Sequence, residues 1–231
     1  MRKVLILSVM LVLSISLSLY AQHALQASIL IVKGDVSAGN ESKGWSRVKV
    51  NDVIQAQDHI RCGSDGEVTF AIGESIVHLD GESEALISEF VDDENTEKVR
   101  ISLLVGLITV KVKKLLKNDL FEVEMPTAVV GVRGTEFSVA LVRDEVEVDV
   151  LEGVVDFMDH RNRTKMIRLK KYERVRFRGH QDRFPERVER LDARQKKLIS
   201  EKMGKIRNIQ KKHLKKRMEI KRKIQKKRVK R

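Results

Sequence analysis

Few residues of this 231-residue chain stand where catalysis would need them. The six histidines (His23, His59, His78, His160, His180 and His213) show no zinc-type spacing to one another, to acids or to the single cysteine, Cys62. A metal site would need ligands gathered by folding alone. There is no nucleophile elbow, and the glycines fall between apolar runs rather than ahead of helices, where a phosphate loop would place them. Asp92, Asp93, Glu94 and Glu97 offer oxygen ligands but lack the glycine that gives a calcium loop its sharp turn, so they read as a solvated turn. Cys62 has no partner in the chain and reads as a buried structural thiol. The expectation is a protein without catalytic residues, metal or cofactor.

Charge is the stronger chemical signal. The net +13 is concentrated in residues 181–231, where 22 Lys and Arg face 6 Asp and Glu; the rest carries 24 against 27. An acidic body therefore precedes a cationic tail. Lys211, Lys212, Lys215, Lys216, Arg217, Lys221, Arg222, Lys223, Lys226, Lys227 and Arg228 are the candidate polyanion contacts, acting by Coulomb attraction and counterion release. Few aromatics interleave them, which argues against base stacking.

The chain's start decides which polyanion the tail can meet. Arg2 and Lys3, an apolar run from Val4 to Leu19 and a small residue at Ala21 follow the order of a secretory signal peptide over 1–21, with Ala24 and Ala27 as alternative cleavage points. The apolar run is about 16 residues, short of the roughly 20 that span a bilayer as a helix. The expected compartment is periplasmic or secreted. Export turns the tail from nucleic acid towards anionic lipid, lipopolysaccharide or an acidic protein surface. With only Met1–Lys3 ahead of the apolar run, a cytoplasmic domain in the same chain is not expected.

The elements that must carry these residues are of two kinds. From 28 to 178, short runs of Val, Ile and Leu are broken by Gly, Asp and Asn about every ten residues, an all-β rhythm. Val146–Val150, Phe121–Val123 and Val68–Ile72 alternate as strands with one buried face would. A pattern of apolar, any, Gly, any, β-branched occurs at Val32–Val36, Leu104–Ile108 and Leu151–Val155, and predicts that a strand ends at each glycine and another begins. Trp45 is expected to cap one end of the β core. Over 185–231 only Gly204 interrupts helix-forming residues, with Pro185 suited to a first turn; one helix there would be roughly 70 Å long.

The most distinctive segment runs from Phe121 through Pro126-Thr127-Ala128 and Val132-Arg133-Gly134-Thr135-Glu136-Phe137 to Leu151-Glu152-Gly153. Gly131 and Gly134 bracket Arg133, whose long cation could fold over Glu136 or hold a ligand carboxylate in its fork. Val129, Val132 and Phe137 would anchor the segment, with Thr135 bonding local backbone. This stretch resembles the core of the FecR-type extracytoplasmic domain, and the likeness extends loosely over Ile29–Phe177. The resemblance implies a β-rich, solenoid-like binding module without catalytic chemistry; in the iron-citrate regulators of that family it relays a transporter signal to a cytoplasmic sigma-factor domain. The expected architecture is thus mainly β, a short β-solenoid or β-sandwich-like domain over 28–178 followed by a long basic C-terminal α-helix over 185–231. Two functions fit it: an exported binding or scaffold module tethered through its tail to an envelope polyanion, or a sensor working through a separate membrane partner. In either case the body would contact an envelope protein or cell-wall component.

Overall fold

The computed structural model describes residues 27–93, 96–179 and 183–229, with the side chains of residues 92, 93, 221, 224 and 226–229 left aside. The expected signal peptide, His23, His180 and Glu94 lie outside the described residues. Strands β1 (Ala27–Lys33), β2 (Val36–Asn40), β3 (Gly44–Arg47), β4 (Val53–Ile54) and β5 (His59–Cys62) are followed by the β6–β7 hairpin (Glu67–Ile72, Ser75–Leu79). Then come β8 (Glu84–Asp93), the long β9 (Thr96–Lys111), β10 (Leu120–Glu124), β11 (Ala128–Val132), β12 (Glu136–Val142) and β13 (Glu145–Glu152). β14 (Val155–Asp159), β15 (Met166–Leu169), β16 (Glu173–Phe177), the two-residue β17 (Glu189–Arg190) and the helix α1 (Ala193–Val229) complete the elements among the described residues. The protein is mainly β, as its punctuated Val-rich sequence predicts.

The strands pair in two ladders. The first runs β4-β1-β6-β7-β9-β12-β13-β16-β17. The second runs β3-β2-β5-β8-β9-β10-β11-β14-β15, antiparallel except where β9 meets β10. Among the described residues neither closes on itself. β9 belongs to both, since Val105 still pairs with Glu84 of the second ladder while Gly106 pairs with Leu141 of the first.

That handover explains the glycine pattern. Gly34, Gly106 and Gly153 all have positive φ (59°, 95° and 87°), and at each the chain leaves one ladder for the other. Only glycine takes this turn cheaply. A Cβ on Gly34 would also lie 2.1 Å from the Asp65 carbonyl oxygen, and one on Gly106 2.5 Å from Cα of Ser83. The prediction that a strand ends at every copy fails at Gly106, where β9 stays extended and only its partners change.

Side chains from both ladders share one apolar core, with Phe70, Phe121, Phe137 and Phe157 its largest fully buried members. Alternation alone would leave the outer face of the first ladder in solvent. Instead every residue of Val68–Ile72 is buried, because the first half of α1 packs on that face. Met203 and Ile206 of α1 are buried against Ala71, Ile76 and Leu151, with Leu30 and Ile199 at the margin.

The helix starts later than Pro185 suggests. Residues 183–188 are irregular, Glu189 and Arg190 add a short strand to β16, and Asp192 is the cap: its Oδ1 accepts from Gln195 N at 2.8 Å while Gln195 Oε1 accepts from Asp192 N at 2.8 Å. This reciprocal box outweighs the proline as a start signal. The 37 residues of α1 make it about 55 Å long, not 70.

Candidate functional site

The distinctive segment is built around a tight turn, a corner and a buried acid. Met125 N donates to Ala128 O at 2.8 Å, so Pro126 and Thr127 form the two-residue link between β10 and β11. β11 then ends at Val132, Gly134 takes φ of 73°, and β12 starts in the other ladder at Glu136. Thr135 does not bond local backbone through its side chain. Its Oγ1 is buried without a partner, and its carbonyl accepts from Val112 N at 2.9 Å. The Thr135 methyl is the part in use: a Cβ on Gly153 would come within 2.7 Å of it, so two segments of the motif fit together only because position 153 has no side chain. Val129, Val132 and Phe137 are buried, as expected of anchors. Gly131 carries no positive φ; a Cβ there would press on Met158 Cε at 3.2 Å.

Arg133 and Glu136, adjacent in the motif, part company. Arg133 is exposed and makes no ion pair among the described residues. Glu136 is buried and accepts from Lys111 Nζ at 2.5 Å and from Arg207 Nε at 2.9 and 3.0 Å, with a further short bond from Arg207 Nη2. Burial alone would push this carboxyl up. The bonds from Arg207 and Lys111 outweigh it and hold the group below the usual glutamate range. The expected pairing of Arg133 with Glu136 is thus replaced by a clamp between the motif and α1. The chain direction explains this: Gly134 turns β12 into the other ladder, beneath the helix, and leaves Arg133 behind at the corner.

Three more contacts set the helix along β7. Lys202 Nζ donates to both oxygens of Asp80 at 2.7 and 2.8 Å. Gln210 Nε2 donates to the Glu74 carbonyl at 2.7 Å, and His213 Nε2 lies 3.2 Å from the Gly73 carbonyl. Burial, Arg217 and Lys216 together lower the His213 pKa despite the Gly73 carbonyl. Beyond this point α1 leaves the body. Lys211, Lys212, Lys215, Lys216, Arg222 and Lys223 are exposed and Arg217 is partly so, while the side chains of Lys221, Lys226, Lys227 and Arg228 are outside those described. Sequence reasoning picked out this cationic half and missed the docked half. Met203, Ile206 and Gln210 at three- and four-residue spacing were the available signal, obscured by the surrounding lysines.

The remaining candidates have structural surroundings. Burial pushes the Cys62 thiol up to about 12, with Asp80 adding to the shift. His59 meets Glu84 at 3.2 Å and His78 meets Thr69 at 2.9 Å. Among the described residues no three His, Cys, Asp or Glu side chains are grouped to hold a metal. Trp45 does not cap the core: it is half exposed on the edge strand β3, with Arg61 stacked 4.3 Å from its ring centre. No helix among the described residues is long and apolar enough to cross a membrane.

The body is mainly β, with glycine corners between two ladders and a helix clamped to its motif acid. Comparison with known families places it. The family model described as FecR protein matches residues 58–156. The FecR match thus covers somewhat under half of the chain. The match begins at Asp58, beside β5, and ends at Asp156 in β14, so it is narrower than the likeness over Ile29–Phe177; β1 and β2 nonetheless pair with β6 and β5 and belong to the same ladders. Two crystal structures of a protein from Parabacteroides distasonis classed as an anti-sigma factor are similar at 19% identity, with TM-scores of 0.48 and 0.47. Each comparison covers 59% of this chain and 61% of the other, so the chain spans under two thirds of those structures' length. Among curated proteins nothing matches.

Proposed function

We propose that this chain is the sensor or regulatory component of an extracytoplasmic signalling system and acts through a separate membrane partner. The observation that carries it is the FecR match at residues 58–156, which spans the ordered motif from Pro126 to Gly153. No catalytic step is assigned to it. In this proposal residues 1–21 direct export and are removed, residues 28–178 stack as a short solenoid- or sandwich-like body, and the part of α1 beyond His213 is a basic arm that projects from it. Arg133 is the proposed partner contact, because it is exposed and makes no ion pair among the described residues, whereas Glu136 is taken up by the clamp and Glu152 lies 3.6 Å from Arg207. Exposed arginines of this kind recognise carboxylates through a bidentate fork.

A second reading is favoured by the projecting half of α1. Five of its cations with described side chains, Lys215, Lys216, Arg217, Arg222 and Lys223, lie beyond the docked turns, where they can meet an envelope polyanion such as anionic lipid or lipopolysaccharide. The two readings separate in one experiment. Affinity capture of the tagged full-length chain from cells, with Arg133→Ala and a variant ending at His213 in parallel, should recover a membrane regulator whose yield falls with Arg133→Ala. Capture lost only in the shortened variant, and restored by low salt in the full chain, would favour the scaffold and tether instead.

A further inference from the structure

A second feature lies under the first turns of α1. Cross-strand neighbours on the outer face of the first ladder form one continuous polar row: Thr69 opposite His78, His78 opposite Thr109, Thr109 opposite Ser138, Ser138 opposite Asp149, and Asp149 opposite Arg174. A helix covering a sheet ordinarily buries apolar side chains there, as α1 does one row away at Ala71, Ile76 and Leu151. Here it covers hydroxyls and an ion pair.

Above Thr109, Ser138 and Asp149 the helix does not close on the sheet. A cavity of about 350 Å³ opens between them, walled by Glu147 and roofed by Leu198 and Lys202. This falls at the lower end of the roughly 300–1,000 Å³ of small-molecule sites. Thr109 lines it and is fully buried, and its Oγ1 has no hydrogen-bond partner. Ser138, beside it, is 8% exposed.

The charges around the cavity are already matched. Arg174 holds Asp149 with a bond of 2.6 Å and a second, shorter one, and reaches Glu147 at 2.9 Å. Arg176 also bonds Glu147, at 2.7 Å, and Lys202 is spent on Asp80. An ion entering here would find no uncompensated counter-charge and would lose its hydration. What the walls still offer is hydroxyl groups, spare carboxylate lone pairs and the apolar sides of Leu107, Ala140, Leu198 and Ile199, which suit the faces of a sugar-like ring. We propose that this cavity binds a neutral, hydroxyl-rich small molecule of about monosaccharide size. Because Leu198 and Lys202 belong to α1, an occupant touches helix and sheet together. The assignment stands on the cavity and needs no membrane partner, so it can fail independently of the proposed signalling role.

Methyl-detected NMR on the intact chain tests it, with D-glucose and myo-inositol as neutral probes and glucosamine and glucuronate as charged comparators. At least one neutral probe should shift the Thr109 and Leu198 methyls saturably, and both charged sugars should bind about tenfold more weakly, one uncompensated charge being worth at least that factor. Ala140→Leu, which fills the cavity, should abolish the shifts. Thr109→Val should weaken neutral binding about fivefold, since it removes a hydroxyl that no other protein group uses. No shift with either neutral probe would mean a cavity filled by water only and would overturn the proposal. Shifts that persist in Ala140→Leu, or an affinity unchanged in Thr109→Val, would do the same.

Discussion

Removing one guanidinium should loosen the helix without touching the β core. Arg207 donates two or more bonds to Glu136, whose side chain is 3% exposed, while Arg207 itself is 41% exposed. Charge-assisted bonds contribute roughly 1.5–3 kcal/mol each. Two facts reduce that here: the exposed side of Arg207 is screened by solvent, and Lys111 stays 2.5 Å from Glu136 and keeps the acid neutralised. Arg207→Ala should therefore weaken docking by about 2 kcal/mol, a factor of about 30 in the docked population. Hydrogen exchange on the full chain measures this directly: amides of 199–210 should exchange about 30-fold faster while those of β6, β12 and β13 keep their protection. Arg207→Lys, which keeps the charge and loses the fork, should fall between. Unchanged exchange in α1, or an equal loss across the strands, would refute the clamp.

Acidification should release the helix in two stages. His213 has a folded pKa below its ordinary 6.5, so its contribution is complete above 6.5 and is lost as pH falls from there through the lower folded pKa. Glu136 and Asp80 are also held low, against ordinary values of 4.5 and 3.8, so their contributions persist until pH falls towards and below those values. Thermal melts of the full chain and of residues 1–192 across pH should converge as pH drops; a constant difference would contradict the assignment. Gly153→Ala should destabilise the fold by about 2 kcal/mol, from the φ of 87° and the 2.7 Å approach to the Thr135 methyl, as read by urea unfolding. Thr135→Ser in the same chain should recover the part due to the methyl. Cys62 should resist thiol reagents in the native protein and react fully on unfolding, given its burial and a pKa near 12.

The sequence made the β body legible because glycines with special backbone demands punctuate it. Gly34, Gly106 and Gly153 were recognisable as corners, though not as points where the chain changes ladder, since that depends on which distant strands receive it. The motif's anchors, Val129, Val132 and Phe137, were readable from their apolar pattern. The partner of Glu136 was not, because Arg207 lies 71 positions away in a helix whose charges suggested a free extension. The same lysines concealed Met203 and Ile206, two buried residues among a run of solvated ones. Thr109 and Ser138 gave no sign at all, since a small hydroxyl in a strand looks alike whether it meets water, a helix or a cavity.

The most direct measurement replaces Arg133 with a photo-crosslinking residue in cells and identifies the product by mass spectrometry of the membrane fraction. If the chain is an exported regulatory module, the crosslinked form lacks residues 1–21 and is joined to an integral membrane protein. Crosslinks confined to soluble cytoplasmic proteins, on a chain that retains its first 21 residues, would contradict the account.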